Sequence, residues 1–326
     1  MRFLLDEEQL EFARSLDALL TASDTPGAAR AWAAGDHVPG RALWSRLGDA
    51  GVYALAVPEA YEGAGQLPVE LAVAFTELGR HAVPGPVVET VAACVLLSAV
   101  GGPAAKEWLP RLASGTASAT LRLDGPYALD ADVADAVFTV RGDELWLAAG
   151  PGPFHASADP ARRLFSPGHG GTLLAGGAHV ADGAGVAADW AAFATAAQAL
   201  GVGEALLRAT VEYVKRRTQF GAAIGSFQAV KHRLADTLAG LEFARPLVHG
   251  AALSLADGAV RAGADVAAAK LAAGEAAYAA ARTALQLHGA VGYTDELDLA
   301  LWLRKARPLR DAWGTPGACR ARVLAG

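Results

Sequence analysis

The sequence predicts a multidomain α and β protein. Its N-terminal helical domain spans residues 1–114, its small middle β domain 115–186 and its C-terminal helical domain 187–326. Three observations carry this expectation. Apolar residues recur with helical spacing at both ends of the chain, and they alternate in the middle. The length of 326 residues exceeds the roughly 250–300 at which a single core stops growing. Hydrophobic residues make up 53% and charged residues 19%, so a disordered chain is excluded. The 28 basic and 34 acidic residues give a net charge of −6. No broad basic field exists for nucleic acid.

The elements follow in order. Asp6 and Gln9 have the spacing of a capping box, and Leu10, Ala13, Leu16, Leu19 and Leu20 then share one helical face. A second helix runs from about Ala42 to Gly51, a third from Pro68 to about His81, and a fourth follows Pro84-Gly85-Pro86. Alternation marks strands at 119–123, 137–140 and 145–147, with Arg141-Gly142-Asp143 as a turn. Glycine and proline crowd 150–185, which reads as loop-rich. Asp124, Asp130, Asp132 and Asp135 lack the spacing of a calcium loop and read as solvated turns. Alanine-rich helices are expected over 189–217, 228–257 and 262–288. Val230, Leu234, Leu238, Leu241 and Val248 share a face of the second. Ala264, Leu271, Tyr278 and Leu285 recur every seven residues in the third.

Cys94 and Cys319 are the two cysteines. They form neither a disulfide framework nor a zinc site, and a reducing compartment suits them. Acidic residues follow the start at once, against a secretory leader. The apolar run Thr90–Val100 has about half of the ~20 residues a membrane span needs. A cytoplasmic protein without membrane insertion is expected.

Three strings carry a resemblance. Arg217-Thr218-Gln219-Phe220-Gly221, then Ile224, Phe227 and Gln228, resembles the R-x-Q-F-G-x-x-I-x-x-F-Q signature of acyl-CoA dehydrogenases. Gln286-Leu287-His288-Gly289-Ala290-Val291-Gly292-Tyr293 resembles that family's Q-x-x-G-G-x-G-Y turn. Leu55-Ala56-Val57-Pro58-Glu59, with Tyr61, Gly63 and Gly65, is similar to its L-x-V-P-E-x-Y-G-G-x-G loop. The strings stand in the family's order and cover nearly the whole chain. The resemblance implies the family's three-domain fold, with a C-terminal four-helix bundle. It also implies FAD bound across a subunit interface, where one subunit grips the flavin ring and holds the acyl-CoA while its neighbour clamps the ADP half.

On that resemblance Arg217 falls on the pyrophosphate, where a planar guanidinium suits paired phosphate oxygens. Phe220 and Gln228 flank the adenosine side. Gln286 and the backbone around Gly289, Ala290 and Gly292 approach the nucleotide, and Gln219 and Thr315 complete the implied cofactor-binding set. A solvated arginine at a helix end is the plainer alternative for Arg217.

The departures are as informative. Most members place a glutamate base in an E-G-T turn, and here the turn is Ala312-Trp313-Gly314-Thr315. Tryptophan has no proton acceptor. The position used by a minority of members falls on Ala191. Asp189 is two residues away, about 200° round a helix. The T-E-P-x-x-G-S-D stretch of the ring grip has no counterpart. The catalytic residues are thus unassigned, with Asp189, Asp295 and Glu296 the open candidates. The resemblance gives Glu296 a structural role, and the acids there also suit a helix start. His288 is a base by residue type and a packing residue by position. His232 is read as facing water. Arg304, Lys305, Arg307, Arg310, Arg320 and Arg322 read equally as a solvated face and as an interface or CoA-phosphate contact.

Clamp without base implies a heteromer, and the chain resembles the short subunit of heteromeric actinobacterial-type acyl-CoA dehydrogenases. The implied function is α,β-desaturation of an acyl thioester by an FAD-dependent enzyme. The implied partners are an acyl-CoA, a second subunit of the family (a heterotetramer) or a second copy, and an electron-transfer acceptor. The alternative is a flavin-free binding or regulatory subunit, or a non-redox thioester enzyme.

Overall fold

A computed structural model describes residues 4–123, 125–294 and 297–326. In chain order the helices are α1 (Glu7–Thr21), α2 (Thr25–Ala33), α3 (Val38–Asp49), α4 (Pro68–Arg80), α5 (Val87–Val100), α6 (Gly102–Ala113), α7 (Ala178–Arg216), α8 (Gln228–Ala256), α9 (Ala262–His288), α10 (Leu299–Asp311) and α11 (Pro316–Ala325). The strands are β1 (Ala119–Arg122), β2 (Ala128–Leu129), β3 (Ala136–Arg141), β4 (Glu144–Ala148), β5 (Phe154–His155), β6 (Leu164–Phe165), β7 (Gly171–Gly176), β8 (Thr218–Gln219) and β9 (Ala222–Ala223). The chain forms two compact units. One is Ala22–Leu71 with Val83–Ala194, and the other is Met1–Thr21, Ala72–Ala82 and Thr195–Gly326.

In the first unit a four-stranded sheet has the order β1-β3-β4-β7. The pair β1–β3 is parallel and the other pairs are antiparallel. Gly142 at φ 62° lets β3 turn directly into β4. Thr90 ties α5 to β1 twice: its hydroxyl donates to Ala119 O at 2.7 Å and accepts from Ala119 N at 3.1 Å. Trp108 packs edge-on to Phe138 at 5.7 Å, and Cys94 is buried.

Two expectations need correction here. The long helix α7 begins at Ala178, not near Asp189. Gly183 lies inside it because a Cβ there would approach Ala99 Cβ to 3.1 Å, so the glycine sets a close helix contact rather than a loop. Of the aspartates, Asp132 and Asp135 are exposed in a turn and a bend as expected, whereas Asp130 is not solvated. Asp130 is fully buried and accepts from Trp32 Nε1 at 3.1 Å; burial pushes its carboxyl up to about 7. Asp132 pairs with Arg163 at 2.7 Å. Asp135 accepts from Ser118 N and Oγ. Asp124 lies outside the described residues.

In the second unit the capping box forms at α1: Asp6 N donates to Gln9 Oε1 and Gln9 N to Asp6 Oδ1. The end of α4 meets α7 backbone to backbone. A Cβ on Gly79 would come within 2.1 Å of Gln198 O, and one on Gly201 within 1.9 Å of Thr76 O. Helices α8 and α9 occupy the expected spans. Their buried faces differ from the leucine pattern, however. In α9 the interior is alanine, including Ala269, Ala273, Ala277, Ala280 and Ala284, with Gly274; small side chains let neighbouring helices approach closely. In α8 Leu241 and Val248 are buried while Leu238 is exposed. The basic block is partly neutralised from α9, since Glu275 pairs with Arg310 at 2.8 Å and Arg320 at 3.6 Å. Among the described residues one helix, α7, is long and apolar enough to cross a membrane, and 89% of its most apolar window is buried inside the protein.

Candidate functional site

The R-x-Q-F-G string begins where α7 ends. Arg217 N donates to Tyr213 O at 2.9 Å, and Ile224 N donates to Arg217 O at 2.8 Å. Between these bonds β8 and β9 pair in register Thr218↔Ala223 and Gln219↔Ala222. The two turn residues, Phe220 and Gly221, have φ 53° and 78°. Positive φ at both positions is the requirement of a tight two-residue hairpin turn. A phenylalanine in the left-handed region is uncommon, and this one is 93% exposed, edge-on to Phe227 at 6.3 Å. The hairpin therefore holds a large apolar ring in solvent. Gln219 and Gln228 are exposed beside it.

The second string lies across an open cavity. Arg216, Arg217 and Tyr213 line it from the end of α7, and His288, Ala290 and Val291 from the end of α9; its volume is about 520 Å³. Arg217 and Ala290 are thus brought together. Two guanidinium residues face this cavity, and none of the described residues lining it is acidic. Gly289 has φ 64° and its neighbour Ala290 is exposed, so these two positions add no bulk beyond a methyl. Gly292 lines a separate cavity of about 180 Å³ with Leu285 and Arg304. Gln286 is exposed in the last turn of α9, where its Oε1 accepts from Arg233 Nη1. Arg233, Arg216 and Tyr213 were not singled out from the sequence.

His288 is a packing residue. Its Nδ1 lies 2.8 Å from Ala284 O, which it must serve as donor, and its ring stacks on Tyr213 at 4.0 Å. Burial lowers its pKa. His232 is exposed.

The turn at 312–315 has a different character. Trp313 sits at φ 54° and Gly314 at φ 138°. Lys270, 1% exposed, donates from Nζ to Arg310 O at 2.9 Å and to Gly314 O at 3.1 Å. A buried ammonium thus clasps the end of α10 to the turn. Thr315 Oγ1 accepts from Ala318 N at 3.3 Å and caps α11. This is its observed role, and it does not line the Arg217 cavity. Ala191, where the resemblance put the alternative base, is fully buried in α7, and Asp189 is only partly buried. Asp295 and Glu296 lie outside the described residues.

Residues 6–116 match the N-terminal domain family of acyl-CoA dehydrogenases, and residues 182–325 match the C-terminal domain family. Acyl-CoA dehydrogenase IpdE2 of Mycobacterium tuberculosis is 36% identical over 303 residues, covering 92% of this chain and 91% of the relative. Its namesake from Mycolicibacterium smegmatis is 33% identical over 317 residues, 96% of each chain. Among solved structures, a chain of the ChsE4-ChsE5 complex from M. tuberculosis superposes with TM-score 0.85 at 27% identity, covering 100% of this chain and 98% of that one. Butyryl-CoA dehydrogenase from Megasphaera elsdenii has the same fold, with TM-score 0.83 at 22% identity over 100% and 99% of the two chains. A chain matched by both domain families, and resembling dehydrogenases over nearly all its length, belongs to the acyl-CoA dehydrogenase family of flavoproteins.

Proposed function

We propose that this chain is the clamp subunit of an FAD-dependent acyl-CoA dehydrogenase. It would supply the ADP-half contacts of FAD at a subunit interface, while a partner of the same family supplies the ring grip and the base. Residues 1–114, 115–186 and 187–326 would be its three domains. The observation that carries this reading is the contrast between two parts of one helical unit. The end of α7 presents Arg216 and Arg217 to a cavity that the α9 turn also lines and that no described acid lines. The turn where the family keeps its base holds Trp313.

The donor set suits the cofactor's tail. Guanidinium groups match the charge and planarity of pyrophosphate oxygens. The left-handed backbone at Gly289 and the methyl of Ala290 leave room for a nucleotide to approach the chain closely. Phe220 offers an exposed ring for adenosine or for the neighbouring subunit. Gln219 on β8, Gln228 at the start of α8 and Gln286 near the end of α9 are exposed amides, and Gly292 and Thr315 complete the implied set. Bound FAD would supply the hydride acceptor. This chain's residues would hold its diphosphate and screen it from water. The family's removal of an α-proton needs a desolvated carboxylate, and a carboxylate is what the turn lacks. The substrate would be an acyl-CoA thioester, with electrons passed on to a separate acceptor. A heteromer is supported by the similarity to the ChsE4-ChsE5 complex.

A flavin-free thioester role is the second reading. Its non-redox thioester form is favoured by Trp313 and by a 42% identical relative over 125 residues, or 38% of this chain, named 3-sulfinopropanoyl-CoA desulfinase. The test is flavin content in the purified complex with its partner subunit. Arg217→Ala is expected to weaken FAD retention by about thirtyfold, the equivalent of about 2 kcal/mol for a charge-assisted phosphate contact. Unchanged flavin content contradicts the clamp assignment.

A further inference from the structure

The unit made of Met1–Thr21, Ala72–Ala82 and Thr195–Gly326 joins α1 to the end of α4 through a cluster that contains none of the residues assigned to the cofactor. Glu77 and His81 stand four residues apart, the spacing that puts two side chains on one helical face. His81 N donates to Glu77 O at 3.1 Å, so the helical turn continues through it. Asp17 reaches the pair from α1, and His81 Nε2 donates to Asp17 Oδ1 at 2.8 Å. One ligand atom from each residue, an imidazole nitrogen and two carboxylate oxygens, lies within 4.8 Å of the other two. Glu77 is 2% exposed. Its Oε1 is taken by Arg80. Its Oε2 is buried and has no hydrogen-bond partner among the described residues. Native interiors leave few buried carboxylate oxygens unanswered.

The donor set selects the ligand. Imidazole together with carboxylate suits zinc, whereas magnesium and calcium favour oxygen donors. A tetrahedral zinc about 2.0–2.2 Å from each ligand sets those ligands about 3.4 Å apart. That separation lies between the 2.8 Å of the His81–Asp17 bond and the 4.8 Å outer bound, so small side-chain adjustments bring all three to one ion. Zinc would replace the hydrogen that now joins Nε2 to Oδ1. Its way in is the Asp17 side, since the Asp17 side chain is 51% exposed and that of His81 11%. The buried ligand is also braced. The Arg80 that holds Glu77 Oε1 donates from Nε to Glu204 Oε2 at 2.6 Å, and Arg245 pairs with Glu204 at 2.8 Å. Such outer partners fix the orientation of a ligating carboxylate. We propose that Asp17, Glu77 and His81 bind one zinc ion, with water at a fourth position on the Asp17 side, and that the ion clips α1 to α4.

Zinc chloride titrated by calorimetry into the full chain, first stripped with a chelator, tests this directly. Saturable binding of one zinc per chain is expected, with a rise in Tm because the ion binds the folded state. His81→Gln removes the imidazole and is expected to weaken zinc binding by about a hundredfold and to abolish the rise in Tm. Asp17→Asn, at a half-exposed side chain, keeps an acceptor for His81 and is expected to weaken binding by about tenfold. His169→Gln, exposed in the other unit, is expected to change neither. Absence of stoichiometric binding overturns the proposal, as does magnesium binding as tightly as zinc. Unchanged affinity in His81→Gln, or an equal loss in His169→Gln, would mean an adventitious ion only and overturns it too. Should His81→Gln fail to fold by circular dichroism, Asp17→Asn decides: full affinity there overturns the site.

Discussion

The hairpin at 217–223 and the turn at 312–315 share an unusual backbone feature. Each places an aromatic residue in the left-handed region directly before a glycine: Phe220 at φ 53° before Gly221, and Trp313 at φ 54° before Gly314. Their surroundings differ. The hairpin is exposed, and nothing lies within 4 Å of where a Gly221 side chain would begin. The turn is clasped by Lys270 and backed by Cys319. The comparison teaches that backbone scaffolding and reactive group are separable. The fold fixes the 312–315 turn through buried Lys270 even though the indole that turn presents cannot take a proton.

Lys270→Met breaks the comparison most severely. It leaves the carbonyls of Arg310 and Gly314 without their donor, and about 2–3 kcal/mol of stability is expected to be lost, read by urea denaturation. A loss under about 0.5 kcal/mol would mean the clasp is incidental. The paired glycines sharpen the contrast. Gly314→Ala meets Cys319 Sγ at 3.0 Å in addition to backbone strain, and is expected to cost about 2 kcal/mol. Gly221→Ala meets only the strain, about 1 kcal/mol. Equal costs by denaturant titration would contradict the difference drawn between the two turns.

A separate expectation concerns pH. Burial raises the Asp130 carboxyl to about 7, while in the unfolded chain an aspartate titrates near about 3.9. Between those values the folded state binds more protons than the unfolded one. Stability therefore falls as pH rises from about 4 to about 7 and levels off above. Asp130→Asn keeps an acceptor for Trp32 and tolerates the left-handed φ of 51°. It is expected to flatten the dependence of Tm on pH and to raise Tm at pH 8. A profile unchanged from the parent chain would show that Asp130 is not a source of the slope.

Much of the architecture was legible in the sequence because its signals are local. Asp6 and Gln9 cap a helix three residues apart, and Phe227, Gly258 and Gly289 bracket α8 and α9 closely. Tertiary contacts hid the rest. Gly183 and Gly185 read as loop residues until Ala99 and Leu96 are seen pressed against the helix that carries Gly183. Asp130 reads as solvated because the indole that receives it is 98 residues away. The alanine stripe of α9 was masked by its more conspicuous leucines. At the candidate site the motif strings named the residues. They gave neither the exposure of Phe220, nor the bond from Arg233 to Gln286, nor the capping role of Thr315, all of which depend on how the chain turns and on what neighbours bring.

The central claim is that this chain completes a flavin site rather than owning one. Its most direct test is the visible flavin absorbance of the chain purified alone and in complex with its partner subunit. The expected result is a colourless lone chain and a yellow complex that oxidises an acyl thioester. A lone chain that purifies yellow with one FAD per subunit and turns over substrate would contradict it.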